Sequence, residues 1–170
     1  MFVFELEGEV MGGQDQQKSG WVVSVNANKG GVPKIPLPEG DVLKTDGLTQ
    51  DSQGHDKHRK LGRALSVLSV ELLDEFQREG FRVAPGLMAE NLTVYGVDLN
   101  SLENGTRFVF ENGVEIEVDT QRKPCFQLNP MGENLEHAAL GRCGVLCSVV
   151  NEGGLKSGMR FEVVAGSKEE

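Results

Sequence analysis

Residues 107–120 read RFVFENGVEIEVDT, and this stretch decides the fold class. Val114, Ile116 and Val118 alternate with Glu115, Glu117 and Asp119. A period of two sets the apolar residues on one face of a strand and the acidic ones on the other. The spacing predicts strands over 107–111 and 114–120, paired as a hairpin with one buried face. Asn112-Gly113 between them favours a two-residue type I′ turn, in which both central residues take positive φ.

The same texture extends outward. Short apolar runs at 21–26, 64–68, 92–95, 145–149 and 161–164 read as strands, and 22 glycines punctuate the chain between them. Gly153-Gly154 reads as a turn before the last strand. Residues 2–10 alternate weakly, residues 11–20 are polar, and 33–53 is rich in Pro, Gly and Asp and reads as loop. One segment has helical spacing. Ser69 suits an N-cap, Glu71 the first turn, Leu72, Leu73 and Phe76 one apolar face, and Gly80 the stop. A second helix is expected near 134–140. Seven or eight strands with one or two helices predict an α+β, mostly β chain, folded as a largely antiparallel barrel or curled sheet. No repeat or boundary interrupts the pattern. Residues 1–170 therefore read as a single domain, with a core over 21–164 and an N-terminal extension or edge strand over 1–20.

The chain has 170 residues and a net charge of -9. Phosphate backbones and anionic membrane surfaces attract basic fields, so neither nucleic acid nor a membrane is an expected partner. No apolar run approaches the roughly 18 residues a spanning helix needs. The N-terminus lacks a basic region followed by an apolar one, so it does not read as a signal peptide, and a cytoplasmic location is expected. The 3 cysteines, Cys125, Cys143 and Cys147, are an odd number and read as free thiols. Cys143 and Cys147 have the spacing of half a metal site, with no second pair to complete it. Cys147 reads as a buried strand residue.

Four segments could carry chemistry. In Gln121-Arg122-Lys123-Pro124-Cys125, two cations precede a thiol, and nearby cations favour thiolate, the nucleophile and soft metal ligand. A buried cysteine after a turn fits the same residues. The basic island His55-Asp56-Lys57-His58-Arg59-Lys60 could hold phosphate or, through its histidines, a metal, and is equally a solvated loop. Glu90 and Asn91 stand before a strand, where they could border a pocket or serve turn chemistry. Arg142, between Gly141 and Cys143, could bind an anion, with Gly144 letting a ligand approach the backbone. No P-loop, dinucleotide fingerprint, serine elbow or HExxH motif occurs.

Taken in order, these segments resemble the MOSC domain, named for the C-terminal domain of molybdenum cofactor sulfurases. The resemblance rests on Lys29-Gly30-Gly31-Val32-Pro33-Lys34, Gly47-Leu48-Thr49-Gln50-Asp51, Glu90-Asn91-Leu92-Thr93, Arg122-Lys123-Pro124-Cys125 and Gly141-Arg142-Cys143-Gly144. It covers about residues 21–164 and suggests a small stand-alone member. It implies a β-barrel-like domain with a cleft for a molybdenum cofactor of molybdopterin type. Cys125 matches the family's sulfur carrier or molybdenum ligand and is the expected catalytic residue. Lys29, His58, Arg59, Glu90, Asn91, Arg122, Lys123 and Arg142 are the expected cofactor-binding residues. The resemblance further implies a molybdenum-dependent reductase of N-hydroxylated compounds, or else a sulfur carrier with a Cys125 persulfide, or a binding domain without turnover. The partners implied are a small-molecule cofactor or sulfur donor and a redox protein. Gln50-Asp51 stands where many members have Gly-Asp, and the histidine segment is out of register. No pyridoxal-phosphate domain is expected in this chain.

Overall fold

The structure is a computed structural model that describes residues 19–29, 31–43, 47–51 and 64–166. Eleven strands and two α-helices lie among them. The order is β1 (Ser19–Ala27), β2 (Ile35–Leu37), β3 (Gly40–Leu43), β4 (Gly47–Leu48), β5 (Leu65–Ser69), α1 (Val70–Arg78) and β6 (Leu92–Tyr95). There follow β7 (Arg107–Phe110), β8 (Glu115–Gln121), α2 (Leu135–Ala138), β9 (Val145–Asn151), β10 (Gly153–Leu155) and β11 (Arg160–Val164).

Seven strands close into a ring, β11-β7-β8-β9-β5-β6-β1, and the seam is the antiparallel pairing of β1 with β11. Closure removes the open edges on which another chain could pair. All pairs are antiparallel except β5 with β6. β2 adds to the outside of the ring on β1, and β10, β3 and β4 form a separate small sheet.

The central alternation holds. Val114, Ile116 and Val118 are buried, while Glu115 and Glu117 turn outward and both accept from Arg107 on β7, at 2.8 and 2.7 Å. The turn differs from the type I′ expectation. Gly113 takes φ +90 but Asn112 does not take positive φ, and the Gly113 N–H bonds the Phe110 carbonyl at 2.9 Å. This is a three-residue loop with a glycine bulge. A positive φ costs nothing at glycine and is unfavourable at a residue with Cβ, so one such residue is preferred to two.

Inside the ring, Phe108 and Phe110 pack on Phe161 with ring centroids 4.8 and 5.2 Å apart. Leu65 and Val67 of β5 face this core, while Leu68, one step out of phase, faces a second one. That second core holds Leu72, Leu73 and Phe76 of α1, with Met88, Leu128, Leu135 and Cys143. Burying each large α1 side chain is worth about 2 kcal/mol. The Ser69 hydroxyl accepts from the Leu72 N–H at 3.3 Å, as its N-cap position requires. At the other end the Phe81 N–H bonds Phe76 O, the Gly80 N–H bonds Gln77 O, and the two phenyl rings meet edge to face at 6.1 Å. This is a Schellman closure with its apolar contact.

The segment 33–53, expected as loop, instead contributes β2, β3 and β4. Gly153-Gly154, expected as a turn, lies in β10 and pairs with β3. These strands are two to four residues long, too short for any periodicity to appear in sequence. Of the extension expected over 1–20, Ser19 and Gly20 instead open β1 and pair with β11, while residues 1–18 and the basic island with His55, His58 and Arg59 lie outside the described residues.

Candidate functional site

β8 runs out at Gln121, and the next N–H, of Arg122, continues the pairing by donating to Gly144 O at 2.8 Å. Pro124 has no N–H to extend the strand, and the chain turns into a 3-10 segment, Phe126–Met131, with Cys125 at its start. Cys125 is exposed, its Sγ 3.7 Å from Gln127 Oε1. Phe126 beside it is 73 % exposed.

Arg122 turns the opposite way. Its Nη2 donates to Met88 O at 2.6 Å, and its Nη1 is buried with no partner among the described residues. Met88 belongs to the tight loop before β6. Gly86 there has φ +88, and a Cβ on it would lie 2.3 Å from Lys34 O. Ala89 takes φ +63, an arrangement costing about 1 kcal/mol for a residue with Cβ. The turn delivers Glu90 inward.

Glu90 is fully buried. Its Oε1 accepts from the Gly86 N–H at 2.7 Å and the Thr93 hydroxyl at 2.8 Å, and its Oε2 has no partner among the described residues. Burial raises the Glu90 carboxyl above the usual range, against the pull of those two donors and of Arg122.

Asn91 bridges strands. Its Oδ1 accepts from the Ser66 N–H at 3.1 Å, and its Nδ2 donates to Asn26 O at 3.3 Å and Asp51 Oδ2 at 2.9 Å. Asp51 also accepts the Asn28 N–H at 3.1 Å and pairs with Lys34 Nζ. Burial lowers the Lys34 ammonium, with Asp51 opposing and Arg122 adding to the shift. Ser24, Asn26 and Thr93 continue the chain of bonds to Glu90.

The structure therefore gathers Arg122, Glu90 and Asn91 around one loop, with Cys125 three residues from Arg122. Lys29 and Lys123 are exposed. Arg142 does not present a free guanidinium. It grips both carboxylate oxygens of Glu79 at 2.6 and 2.7 Å, donates to Ala138 O, and lies 4.5 Å over the Phe76 ring. Gly144, expected to admit a ligand, instead admits β5: with φ +81, a Cβ on it would lie 2.0 Å from Val67 O. Lys34, Asp51 and Ser66 were not singled out as site residues in the sequence. Lys34 and Asp51 lie in segments that carry the resemblance, and only the folded chain reveals that they meet.

Cys143 and Cys147 are buried. Burial pushes both thiols up, with Arg122 pulling Cys143 partly back. Among the described residues, no group of three or more His, Cys, Asp or Glu side chains is placed to hold a metal. A recess of about 430 Å³ lies elsewhere, lined by Glu71, Glu75, Gly96 and Asp98. It contains no cysteine and no cation, so chemistry rather than size selects the site. No helix among the described residues is long and apolar enough to cross a membrane.

The MOSC domain profile matches residues 54–162. YuaD of Bacillus subtilis (strain 168), whose name assigns it provisionally to metal-sulfur cluster biosynthesis, is 30% identical over 115 residues. The match spans 59% of this chain and 60% of that protein. The crystal structure of YuaD from Bacillus subtilis superposes with a TM-score of 0.73 at 21% identity, covering 85% of this chain and 95% of that one. YiiM from Geobacillus stearothermophilus gives 0.66 at 21% identity, covering 85% and 75%. A closed β-ring, an Arg-x-Pro-Cys turn at the end of one strand and an Glu-Asn loop at the start of another thus coincide with a profile match over most of the chain, and the chain belongs to the MOSC domain family.

Proposed function

We propose that the chain holds a molybdenum cofactor of molybdopterin type at the Arg122–Cys125 turn. The observation that carries this reading is the exposed thiol of Cys125 in the turn that follows Arg122, whose buried Nη1 has no partner among the described residues. The donor set fits the group. A thiolate is a soft ligand for the metal, and cations suit the anionic phosphate. No protein cage of several ligands is needed, because the metal arrives already held by its pterin.

Arg122 would bind the anionic end, with Lys123 and Lys29 screening it from the solvent side. Cys125 would ligate the metal, and Glu90 and Asn91 would hold the loop that Arg122 bonds. When bound, the cofactor supplies two-electron chemistry, and reduction of N-hydroxylated compounds is the activity that follows. A redox protein would bring the electrons.

The exposure of Cys125 and the name of YuaD favour a second reading, sulfur carriage as a Cys125 persulfide. Elemental analysis of protein from a molybdate-supplied host, beside Cys125→Ala, separates the two. Stoichiometric molybdenum that is lost in the variant supports the first. No molybdenum in either protein removes it. A mass gain of about 32 Da on Cys125 after a sulfur donor then supports the second.

A further inference from the structure

An aromatic pair stands on the outer wall of the ring, at its seam. Trp21 on β1 lies opposite Tyr95 on β6 and, on its other side, opposite Arg160 on β11. Gly20 and Val22 on either side of Trp21 are buried, so the indole points outward. The two ring centroids are 6.3 Å apart, with the planes at 39°. Trp21 is 40% exposed and Tyr95 50% exposed. Aromatic side chains can bury about 150–250 Å² each, so roughly 200 Å² of this pair is left in water. A stable dimer covers about 800 Å² per partner. Ser19 and Glu162, opposite each other two residues before, close the patch with polar groups. Its area suits a few side chains of one extended segment rather than the face of a second protein.

The chain itself supplies such a segment. Residues 1–18 lead into β1 at Ser19, two residues before Trp21. That entry is fixed. Ser19 and Gly20 pair with Glu162 and Phe161, and a Cβ on Gly20 would lie 2.7 Å from Phe161 Cζ. In sequence, Phe2, Phe4 and Leu6 alternate with Val3, Glu5 and Glu7. In an extended chain this spacing sets three apolar side chains on one face. Twelve residues, 7–18, separate Leu6 from Ser19 and include Gly8, Gly12 and Gly13. A coil of that length spans about 20 Å. Trp21 is only about 7 Å beyond Ser19, so the segment can double back over it. Tethering keeps its effective concentration near the mM range, where weak contacts fill. Charge points the same way. Residues 1–11 carry Glu5, Glu7 and Glu9 and no cation, while Arg160 and Lys156 are exposed on the β11 side of Trp21. The turn after Lys156 is held to β1 by the Ser157 hydroxyl on Val23 O and the Gly158 N–H on Val22 O, both at 2.8 Å.

We propose that Phe2, Phe4 and Leu6 of the chain's own N-terminal segment cover the Trp21–Tyr95 pair and clasp the seam where β1 meets β11. Glu5 and Glu7, one step out of phase, face water and the margin formed by Arg160 and Lys156. The clasp stands apart from the Arg122–Cys125 turn and does not depend on what that turn binds.

Trp21 is the sole tryptophan of the chain, so indole fluorescence reads the patch directly. Acrylamide quenching of the full chain, compared with the same chain unfolded in urea, is the test. An uncovered indole that is 40% exposed should be quenched about 2.5-fold less than in the unfolded chain. Wild type is expected to be quenched about fivefold less or better, because the segment shields the ring. In the full chain carrying Phe2→Ser, Phe4→Ser and Leu6→Ser together, quenching is expected to rise about twofold and the emission to shift to the red. Wild-type quenching at the uncovered level would overturn the clasp and leave the rings open to another partner. Protection that persists unchanged in the triple variant would overturn it as well. So would protection lost on about hundredfold dilution, which would assign the cover to a second copy of the chain. Should the triple variant fail to fold, Phe4→Ala takes its place. About half the rise is then expected, and no rise overturns the proposal.

Discussion

The side-chain amide of Asn91 donates to the carboxylate of Asp51 at 2.9 Å, joining a buried residue at the start of one barrel strand to a loop 40 positions earlier. The same amide reaches Asn26 O, and its oxygen takes the Ser66 N–H. Asn91→Ala would leave these groups unpaired in a dry place. The expected loss is about 2–4 kcal/mol in urea unfolding, with a matching fall in molybdenum content. A loss under about 0.5 kcal/mol would show that water replaces the amide.

Glu90 gives a stability signature in pH. Burial raises its folded-state value above the ordinary 4.5. Its favourable contribution is full below that ordinary value and is lost as pH rises through the raised one. Glu90→Gln should therefore gain stability relative to wild type from pH 5 to pH 8. Denaturation at several pH values reads this directly, and a gap that narrows as pH rises contradicts it.

Glu79 behaves oppositely. Its hydrogen bonds with Arg142 hold its carboxyl below the usual range. Such a group stabilises above its unfolded value, and the benefit fades as pH falls through the depressed one. The Tm deficit of Arg142→Ala should be larger at pH 7 than at pH 3, after allowance for the lost contact with Phe76, which does not titrate. Thermal melts across that range are the measurement.

The thiols should separate kinetically. Cys125 is exposed, whereas Cys143 and Cys147 are buried with raised values. Iodoacetamide at neutral pH should modify one cysteine per native chain, lost in Cys125→Ser, and all 3 after unfolding. Mass spectrometry counts the adducts, and rapid native labelling of Cys143 would contradict its placement.

Gly144→Ala should be severe. The new methyl would meet Val67 O at 2.0 Å in a backbone with φ +81. Where β5 and β9 press together there is no room to yield, so about 3 kcal/mol or more is expected in urea unfolding.

How much of this was legible beforehand varies with length scale. The alternation of Val114, Ile116 and Val118 needs only neighbouring residues, and it survived folding. So did the Ser69 cap and the Leu72, Leu73, Phe76 face. The Asn112-Gly113 turn was misjudged because dipeptide preference does not say how many residues the loop spans. Ile35–Leu37 and Gly47–Leu48 carry too few residues to show a period. Arg142 illustrates a harder limit. Beside glycines and a cysteine it looked like an anion ligand, and only the folded chain brings Glu79, 63 positions away, under its guanidinium. Lys34 and Asp51 were overlooked as a pair for the same reason.

β5 and β6 are the parallel pair of the ring. Parallel neighbours cannot be joined by a tight turn, so the chain must climb back along the barrel wall before re-entering it. α1 makes that return journey, and the stretch after it, with Gly86, Met88, Glu90 and Asn91, makes the landing. The loop that carries Glu90 and Asn91 is thus an obligatory detour of the topology. Its last residues are sewn into the wall, with the Asn91 N–H on Ser66 O at 2.9 Å and the Asn26 N–H on Asn91 O at 2.7 Å, so the detour ends as firmly as the strands it joins.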